Sequence, residues 1–339
     1  MANNIREPAI AESTVDPKVD PRLRHIDRMV WIVIAAVTAS VMISSAIGPF
    51  EIEWRSFLKP VLIGILLVSV SWFYLSIRKD ARLAEALMSA AQIILFAAVA
   101  APLSYVGARA AFPLWDAQLA ALDHSLGLEW KTWLAVMNEF PLLHTVLAGA
   151  YASFAVQTTT TVVCLAIAGR GLRLRVFLLS FMLTTLVTIA ISAVMPAQGE
   201  WGYLHLSAAD SPAIVPMTRD LPLPVFFGLR DGTFHRLVAE GAEGIISFPS
   251  LHAALGLLFL LALWPVKYIG WVAVVLNLAM IAATPVDGSH YFSDVFAGLA
   301  IAASSWFVVT HVLGHAGFTR ANELSELQPI RVSPTALNA

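Results

Sequence analysis

GIISFPSLHAALGLLFLLALWPVKYIGWVAVVLNLAMIAATPVDGSHYFSDVFAG, residues 244–298, contains two histidines, His252 and His290, each placed where a turn-like segment gives way to a long apolar run. Asp294 follows the second histidine by one helical turn. The apolar runs, at 251–264 and 268–283, describe a chain that crosses an apolar layer and returns, so both histidines finish on the same side. If His290 opens a helix, Asp294 at i+4 lies on the same face, with Cβ atoms about 5–6 Å apart. A carboxylate there accepts a proton from one imidazole nitrogen and leaves the other as a free lone pair, which makes His290 a candidate nucleophile. His252 has no carboxylate close by in sequence and is free to protonate a leaving oxygen.

Ser247, Pro249 and Ser250 before His252 have the composition of a helix start, and Asp287-Gly288-Ser289 can serve the same purpose before His290. Two helix N-termini facing one point present unpaired N–H groups to an anion, with phosphate the natural guest. A single histidine at a membrane helix end is ordinarily an interfacial, hydrogen-bonded residue. Three ionisable groups bordering an apolar layer at matched depth are functional candidates.

Phe248-Pro249-Ser250-Leu251-His252 followed by His290-Tyr291-Phe292-Ser293-Asp294 resembles the second and third signature motifs of the type 2 phosphatidic acid phosphatase superfamily. The form FPSLH…HYxxD is most similar to the branch that includes inositol-phosphorylceramide synthases and their bacterial relatives. The resemblance implies that His290 attacks phosphorus to give a phosphohistidine, that Asp294 orients and charges it, and that His252 protonates the leaving group. It implies no metal ion or other cofactor, and a phospholipid or lipid phosphate as substrate, sphingolipids included. Arg230 stands in the place of the first motif's Arg, which implies a phosphate ligand, since a guanidinium binds phosphate through two N–H groups. The chain departs from the family pattern at Leu251, usually Gly, at Ala283-Thr284, usually Ser-Arg, at Leu223, usually Lys, and at Asp231, usually Pro. Side-chain cations on the phosphate then reduce to Arg230, and the helix starts at Ser250 and Ser289 carry a larger share of its charge.

The remainder of the chain agrees with a membrane setting. It is 58% hydrophobic and 13% charged, against about 25% charged in a soluble domain. A net charge of −2 argues against nucleic acid as a partner, and a single cysteine, Cys164, excludes an internal disulfide framework. Apolar runs at 29–47, 57–77, 83–103, 142–168, 176–195, 246–264, 268–283 and 291–313 predict an all-α integral membrane protein of about eight transmembrane helices. The last six, with an interfacial amphipathic helix, form a six-helix phosphatase-like catalytic bundle. The division is a disordered cytoplasmic tail at 1–28, accessory helices at 29–103 continuing into the bundle, a catalytic bundle at 104–314, and a disordered tail at 315–339.

With the amino terminus cytoplasmic, 14 of the 21 lysines and arginines fall on the cytoplasmic side, among them Arg170, Arg173 and Arg175 in one tight turn. Positive charge in short loops marks the inner face, so the histidines face the extracytoplasmic side of a bacterial inner membrane or its equivalent. Residues 116–140 carry Leu119, Leu122, Leu126, Trp133, Met137 and Phe140 at three- and four-residue spacing with Asp123, Glu129 and Lys131 between them, which predicts one amphipathic helix. The extracytoplasmic loop at 196–246 holds Glu200, His205, Arg219, Arg230 and His235. Transfer of a phosphoryl or phospho-headgroup to water or to another lipid or polyol hydroxyl is the reading; a lipid or small-molecule transporter is the rival. Transporters place polar groups near the midplane on broken helices, often in repeated halves, whereas these three residues sit at helix entrances in a chain without an internal repeat.

Overall fold

The computed structural model describes residues 21–48, 51–218, 223–242 and 244–315. The tails expected at 1–20 and 316–339, and Arg219, lie outside the described residues. In chain order the helices are α1 (Pro21–Ile47), α2 (Leu58–Phe73), α3 (Ala81–Ala108), α4 (Asp116–Ser125), α5 (Trp130–Glu139), α6 (Pro141–Ala152), α7 (Phe154–Ile167), α8 (Gly171–Val194), α9 (Glu200–Tyr203), α10 (Leu223–Asp231), α11 (Leu251–Leu263), α12 (Ile269–Asp287) and α13 (Phe292–His315). Two short strands, β1 (Glu51–Ile52) and β2 (Arg236–Leu237), pair in parallel and tie the α1–α2 connection to the loop before α11. The first helix opens at Pro21 rather than at Met29, because its polar first turns have partners in the bundle: Asp27 is ion-paired to Arg175.

Six helices are long and apolar enough to cross a membrane, namely α1, α2 with its π-turn extension, α3, α8, α12 and α13. The expected span at 142–168 is instead two helices, α6 and α7, bent by 54° at Ser153 and together long enough for a seventh. The expected span at 246–264 is also changed. Its helix, α11, has 13 residues, which is about 20 Å at 1.5 Å per residue and short of the roughly 30 Å of bilayer hydrocarbon. Ile245 and Phe248 are buried as loop residues, and Ser250, in extended conformation, ends the loop by accepting the Ala253 N–H.

Short as it is, α11 occupies the centre, packed on α7, α8, α12 and α13. Its Ala253, Ala254, Phe259 and Ala262 are fully buried, and close approach is enforced at Gly298 of α13, where a Cβ would lie 2.2 Å from the Ser250 carbonyl oxygen. At its far end the tight turn read as a topological signal serves as a clamp. Arg170 donates to the Pro265 carbonyl at 3.1 Å, and Arg173 to those of Ala262 at 2.8 Å and of Leu261. Arg175, 4% exposed, binds both carboxylate oxygens of Asp27 at 2.9 Å and Glu85 at 3.2 Å. Cations here meet helix C-terminal carbonyls, the end that favours them, and α1, α3, α8 and α11 are joined by side chains of one turn.

The amphipathic stretch at 116–140 is two helices, α4 and α5. Gly127, with φ +72°, reverses the chain between them, a conformation costly for residues with a Cβ. Leu119 and Met137 are buried as expected, but Leu122, Leu126 and Phe140 are exposed, and Asp123, placed on the polar face by the sequence, is 2% exposed.

Candidate active site

His290 precedes α13 rather than opening it, in a turn where Ser289 has φ +55° and Gly288 leaves no room for a side chain. A Cβ on Gly288 would lie 2.4 Å from His290 Cδ2 and 2.9 Å from Tyr151 Oη. Asp294, in the first turn of α13 and without exposed surface, reaches back: its Oδ2 meets His290 Nδ1 at 3.2 Å and accepts the Tyr291 N–H at 3.1 Å. The Ser247 hydroxyl lies beside the same carboxylate; Ser247 Oγ and Asp294 Oδ1 have no other partner among the described residues. Burial pushes the His290 imidazole down to about 4, against an opposing hydrogen bond from its ring to the Ser247 backbone. The ring is therefore neutral at pH 7. With Asp294 holding the Nδ1 proton, the neutral ring has its lone pair on Nε2, and the bond to the Ser247 backbone belongs to the protonated ring.

His252 lies in the first turn of α11. Its ring stacks on Tyr151 (centroids 4.1 Å apart, 18° between planes) and packs at 5.2 Å from Phe154, while its Nδ1 is 3.2 Å from Tyr151 Oη. The bend between α6 and α7 creates this arrangement, since Tyr151 ends one helix and Phe154 begins the other. His252 and His290 line one cavity of about 420 Å³, together with Gln198, Thr218, Ser247 and Ser289.

Four further carboxylates build the floor behind His290. Asp116 accepts the N–H groups of Gln198 and Gly199 at 3.0 and 3.2 Å and the Tyr291 hydroxyl at 2.9 Å. Asp123 caps α13 from a distance in sequence, taking the N–H groups of Phe292 at 2.6 Å and Ser293 at 2.8 Å. Asp287, at the end of α12, pairs with His144 at 3.1 Å, both buried, and its backbone oxygen accepts from the Thr218 hydroxyl at 2.7 Å. Glu200, 5% exposed, has Oε2 without a partner among the described residues. Burial first, then the neighbouring Asp123, Asp294 and Asp116, push its carboxyl up to about 7. Burial also raises Asp116 and Asp123, against the hydrogen bonds that pull both down.

Several expectations change here. The start of α13 does not offer free N–H groups to an anion, because Asp123 and Asp294 take those of Tyr291, Phe292 and Ser293. Ser289 serves α9: its Oγ accepts the Trp201 N–H and its carbonyl the Glu200 N–H. Ser250, expected to touch substrate, is fully buried and does not line the cavity; its hydroxyl is the cap of α11. Arg230 is also not among the lining residues. It donates to the Phe112 carbonyl at 2.8 Å and lies 5.3 Å over the ring of Phe226, which does line the cavity, and its Nη1 is buried without a partner among the described residues. Among the described residues no lysine or arginine lines the cavity.

Tyr151, His144 and the carboxylates Asp116, Asp123 and Glu200 did not stand out as site residues in the sequence. A signal for two of them was present: Asp116 and Asp123, seven apart, share one face of a helix. Tyr151 and His144 are polar groups inside an apolar segment, where an unpartnered polar atom is costly.

The sequence profile of a PAP2 superfamily family, PAP2_3, matches residues 117–308, more than half of the chain. Comparison with curated proteins and with solved structures gives no match. The matched segment carries both histidines and Asp294, and the chain belongs to the PAP2 superfamily, which supports a phosphatase-type function on phosphate-containing substrates.

Proposed function

We propose that the protein transfers the phosphoryl group of a membrane lipid phosphate, or the phospho-headgroup of a phospholipid, through a phosphohistidine at His290. The observation that carries this reading is the His290–Asp294 pair at 3.2 Å, whose imidazole opens on a cavity shared with a second histidine. His290 Nε2 attacks phosphorus as the bond to the leaving oxygen breaks. Positive charge then develops on the imidazole, and Asp294 stabilises it through Nδ1–H.

His252 acts as the acid: burial and then the neighbouring His290 hold its imidazole down to about 3, and the negative charge of a bound phosphate is what raises it and lets it carry the proton. Protonated on both nitrogens, it gives the Nε2 proton to the leaving oxygen while Nδ1–H donates to Tyr151 Oη; once neutral, it keeps Nδ1–H on Tyr151 Oη and has its lone pair on Nε2. In the second step it takes a proton from water, which attacks the phosphohistidine and releases phosphate. A lipid or polyol hydroxyl in place of water gives transfer through the same intermediate. The Ser247 hydroxyl, which lies beside Asp294 and lines the cavity, turns to a phosphate oxygen when substrate binds, and Arg230 contributes positive charge from behind Phe226 without touching the phosphate. Arginines of the 170–175 turn mark the inner face, which puts the histidines outside.

Intact cells and purified protein are given a ³²P-labelled, membrane-impermeant phosphate ester, and the protein is quenched in alkali, where phosphohistidine survives. We expect label on His290, turnover by intact cells, and a loss of about 10⁴-fold in His290→Ala and Asp294→Asn protein that still inserts normally. Near-normal turnover without His290 would remove the nucleophile assignment, and turnover only after lysis would invert the sidedness.

A further inference from the structure

We propose that the cavity continues from the histidines into a binding arm for one extended hydrocarbon chain of the substrate, and that α3 sets the chain length it accepts. The proposal rests on the phosphate-transfer reading for what lies at the polar end, and on the geometry of the apolar end for the rest. A phosphate occupies only the part of the 420 Å³ near His252 and His290.

Away from the histidines the wall is made by two helices. From α3 come Phe96, Ala97, Ala100, Ala101 and Ser104, recurring at three and four residues along one face. From α8 come Phe181, Thr185 and Ile189, and Leu255 of α11 and Phe154 of α7 join them to the catalytic end. The two hydroxyls in this wall are spent on their own helices: Ser104 Oγ donates to the Ala101 carbonyl at 2.7 Å and Thr185 Oγ1 to that of Phe181 at 2.9 Å. No polar group in this wall is left for a ligand, which suits methylenes and excludes a sugar or a second charged headgroup.

Phe154, Phe181 and Phe96 line the arm, and Phe259 and Phe177, packed behind it, link their rings. Phe154 touches His252 and lies 6.4 Å from Phe259; Phe177 lies 5.9 Å from Phe259 and 6.1 Å from Phe181; Phe181 meets Phe96 edge-on at 6.2 Å. Phe96 and Phe181 close the end between the two helices. Opposite the rings, alanines at 97, 100 and 101 hold the space open, and a larger residue at any of them shortens it. The α3 side of this wall precedes residues 117–308, while the α8 side lies within them, so the length-setting helix is outside the segment matched by the family.

The test is a series of linear alkyl phosphates from n-butyl to n-hexadecyl, assayed as kcat/KM on the full chain in nanodiscs. The parent should gain about fourfold per methylene up to a plateau. Ala101→Phe should reach its plateau earlier and lose about ten- to a hundredfold on hexadecyl phosphate, with n-butyl phosphate unchanged; Ala97→Leu is the milder second variant should the first fail to fold. An unchanged length profile in a variant with normal butyl turnover overturns the proposal. Labelling by a hexadecyl phosphate with a terminal diazirine reads the arm without turnover. Crosslinks to peptides of α3, lost in Ala101→Phe, support it even if no phosphate is hydrolysed and the catalytic reading falls; crosslinks confined to the outer helices α1 and α2 overturn it.

Discussion

The two ends of α8 are held by opposite charges. At its start, Arg170, Arg173 and Arg175 meet carbonyls at the end of α11 and the carboxylates of Asp27 and Glu85. Beyond its end, Asp116 takes N–H groups of the 198–199 turn and Asp123 those that open α13. Both arrangements obey helix polarity, cations toward free carbonyls and anions toward free N–H groups. They differ in completeness. Arg175 finds four acceptor oxygens, whereas at the acidic end Glu200 Oε2 and Asp287 Oδ2 are buried without partners among the described residues. Each such atom costs about 1–3 kcal/mol. A saturated end holds helices together; an end with unspent oxygens is where proton transfer is expected.

Breaking the saturated end should therefore cost stability and spare the chemistry. Arg175→Met leaves Asp27 and Glu85 facing each other without their cation, and removing one partner of a buried pair costs about 3–5 kcal/mol. Asp27 is 23% exposed at its side chain, so we expect the lower figure, read as a lower melting temperature in nanodiscs with kcat/KM unchanged at a permissive temperature. A variant that keeps its melting temperature but loses activity would show that the arginine end is coupled to the site.

The two ends also differ in how far they could be read from sequence. The arginines lie within six residues of one another, and their clustering in a short loop carries meaning by itself. Apolar run length likewise identifies the helices that are continuous. It does not show the bend at Ser153 or the seven residues before α11 that stay unwound, because Ile245, Ile246 and Phe248 are apolar whether they sit in a helix or line a loop. At the site, His290 and Asp294 are four apart and were legible together. Asp116, Asp123, Glu200 and Tyr151 come from segments 82 to 175 residues away along their hydrogen bonds, and only folding brings them to His252 and His290. Arg230, assigned by motif position, is directed to the Phe112 carbonyl instead.

At the acidic end the contact that most sharply separates holding from chemistry is the one between Tyr151 and His252. Tyr151→Phe keeps the ring stacked on the imidazole and removes only the hydroxyl at Nδ1. If that hydroxyl sets the protonation of the acid, kcat for an alkyl phosphate should fall about ten- to a hundredfold, within the range of one acid–base contribution. p-Nitrophenyl phosphate, whose leaving group needs no proton, should lose little. Equal losses on both substrates would reduce Tyr151 to packing.

The smallest effect is expected at Glu200, where the acidic end titrates near neutral pH. Its carboxyl rises from 4.5 to about 7, through burial and through Asp123, Asp294 and Asp116 around it, with Lys131 opposing. The folded protein therefore binds a proton that the unfolded chain has already lost between those values. Stability from this group is full below about pH 4.5 and is lost as pH rises through 7. The ceiling is about 3 kcal/mol at 1.36 kcal/mol per pH unit; admission of water to the ionised carboxylate lowers it, and we expect about 1 kcal/mol. Glu200→Gln keeps the shape and cannot ionise, so its melting temperature should match the parent at pH 5, exceed it at pH 8, and decline less between the two. His290 and His252, held down to about 4 and about 3, are neutral in the folded protein across this window while imidazoles of the unfolded chain still titrate near 6.5, so both add stability as pH rises to about 6.5; that slope is common to parent and variant, and the Glu200 contribution is read from the difference between them. A Glu200→Gln protein whose melting temperature falls with pH as steeply as the parent's would place the titrating proton on Asp116 or Asp123, which burial also raises, and Asn substitutions there would then find it.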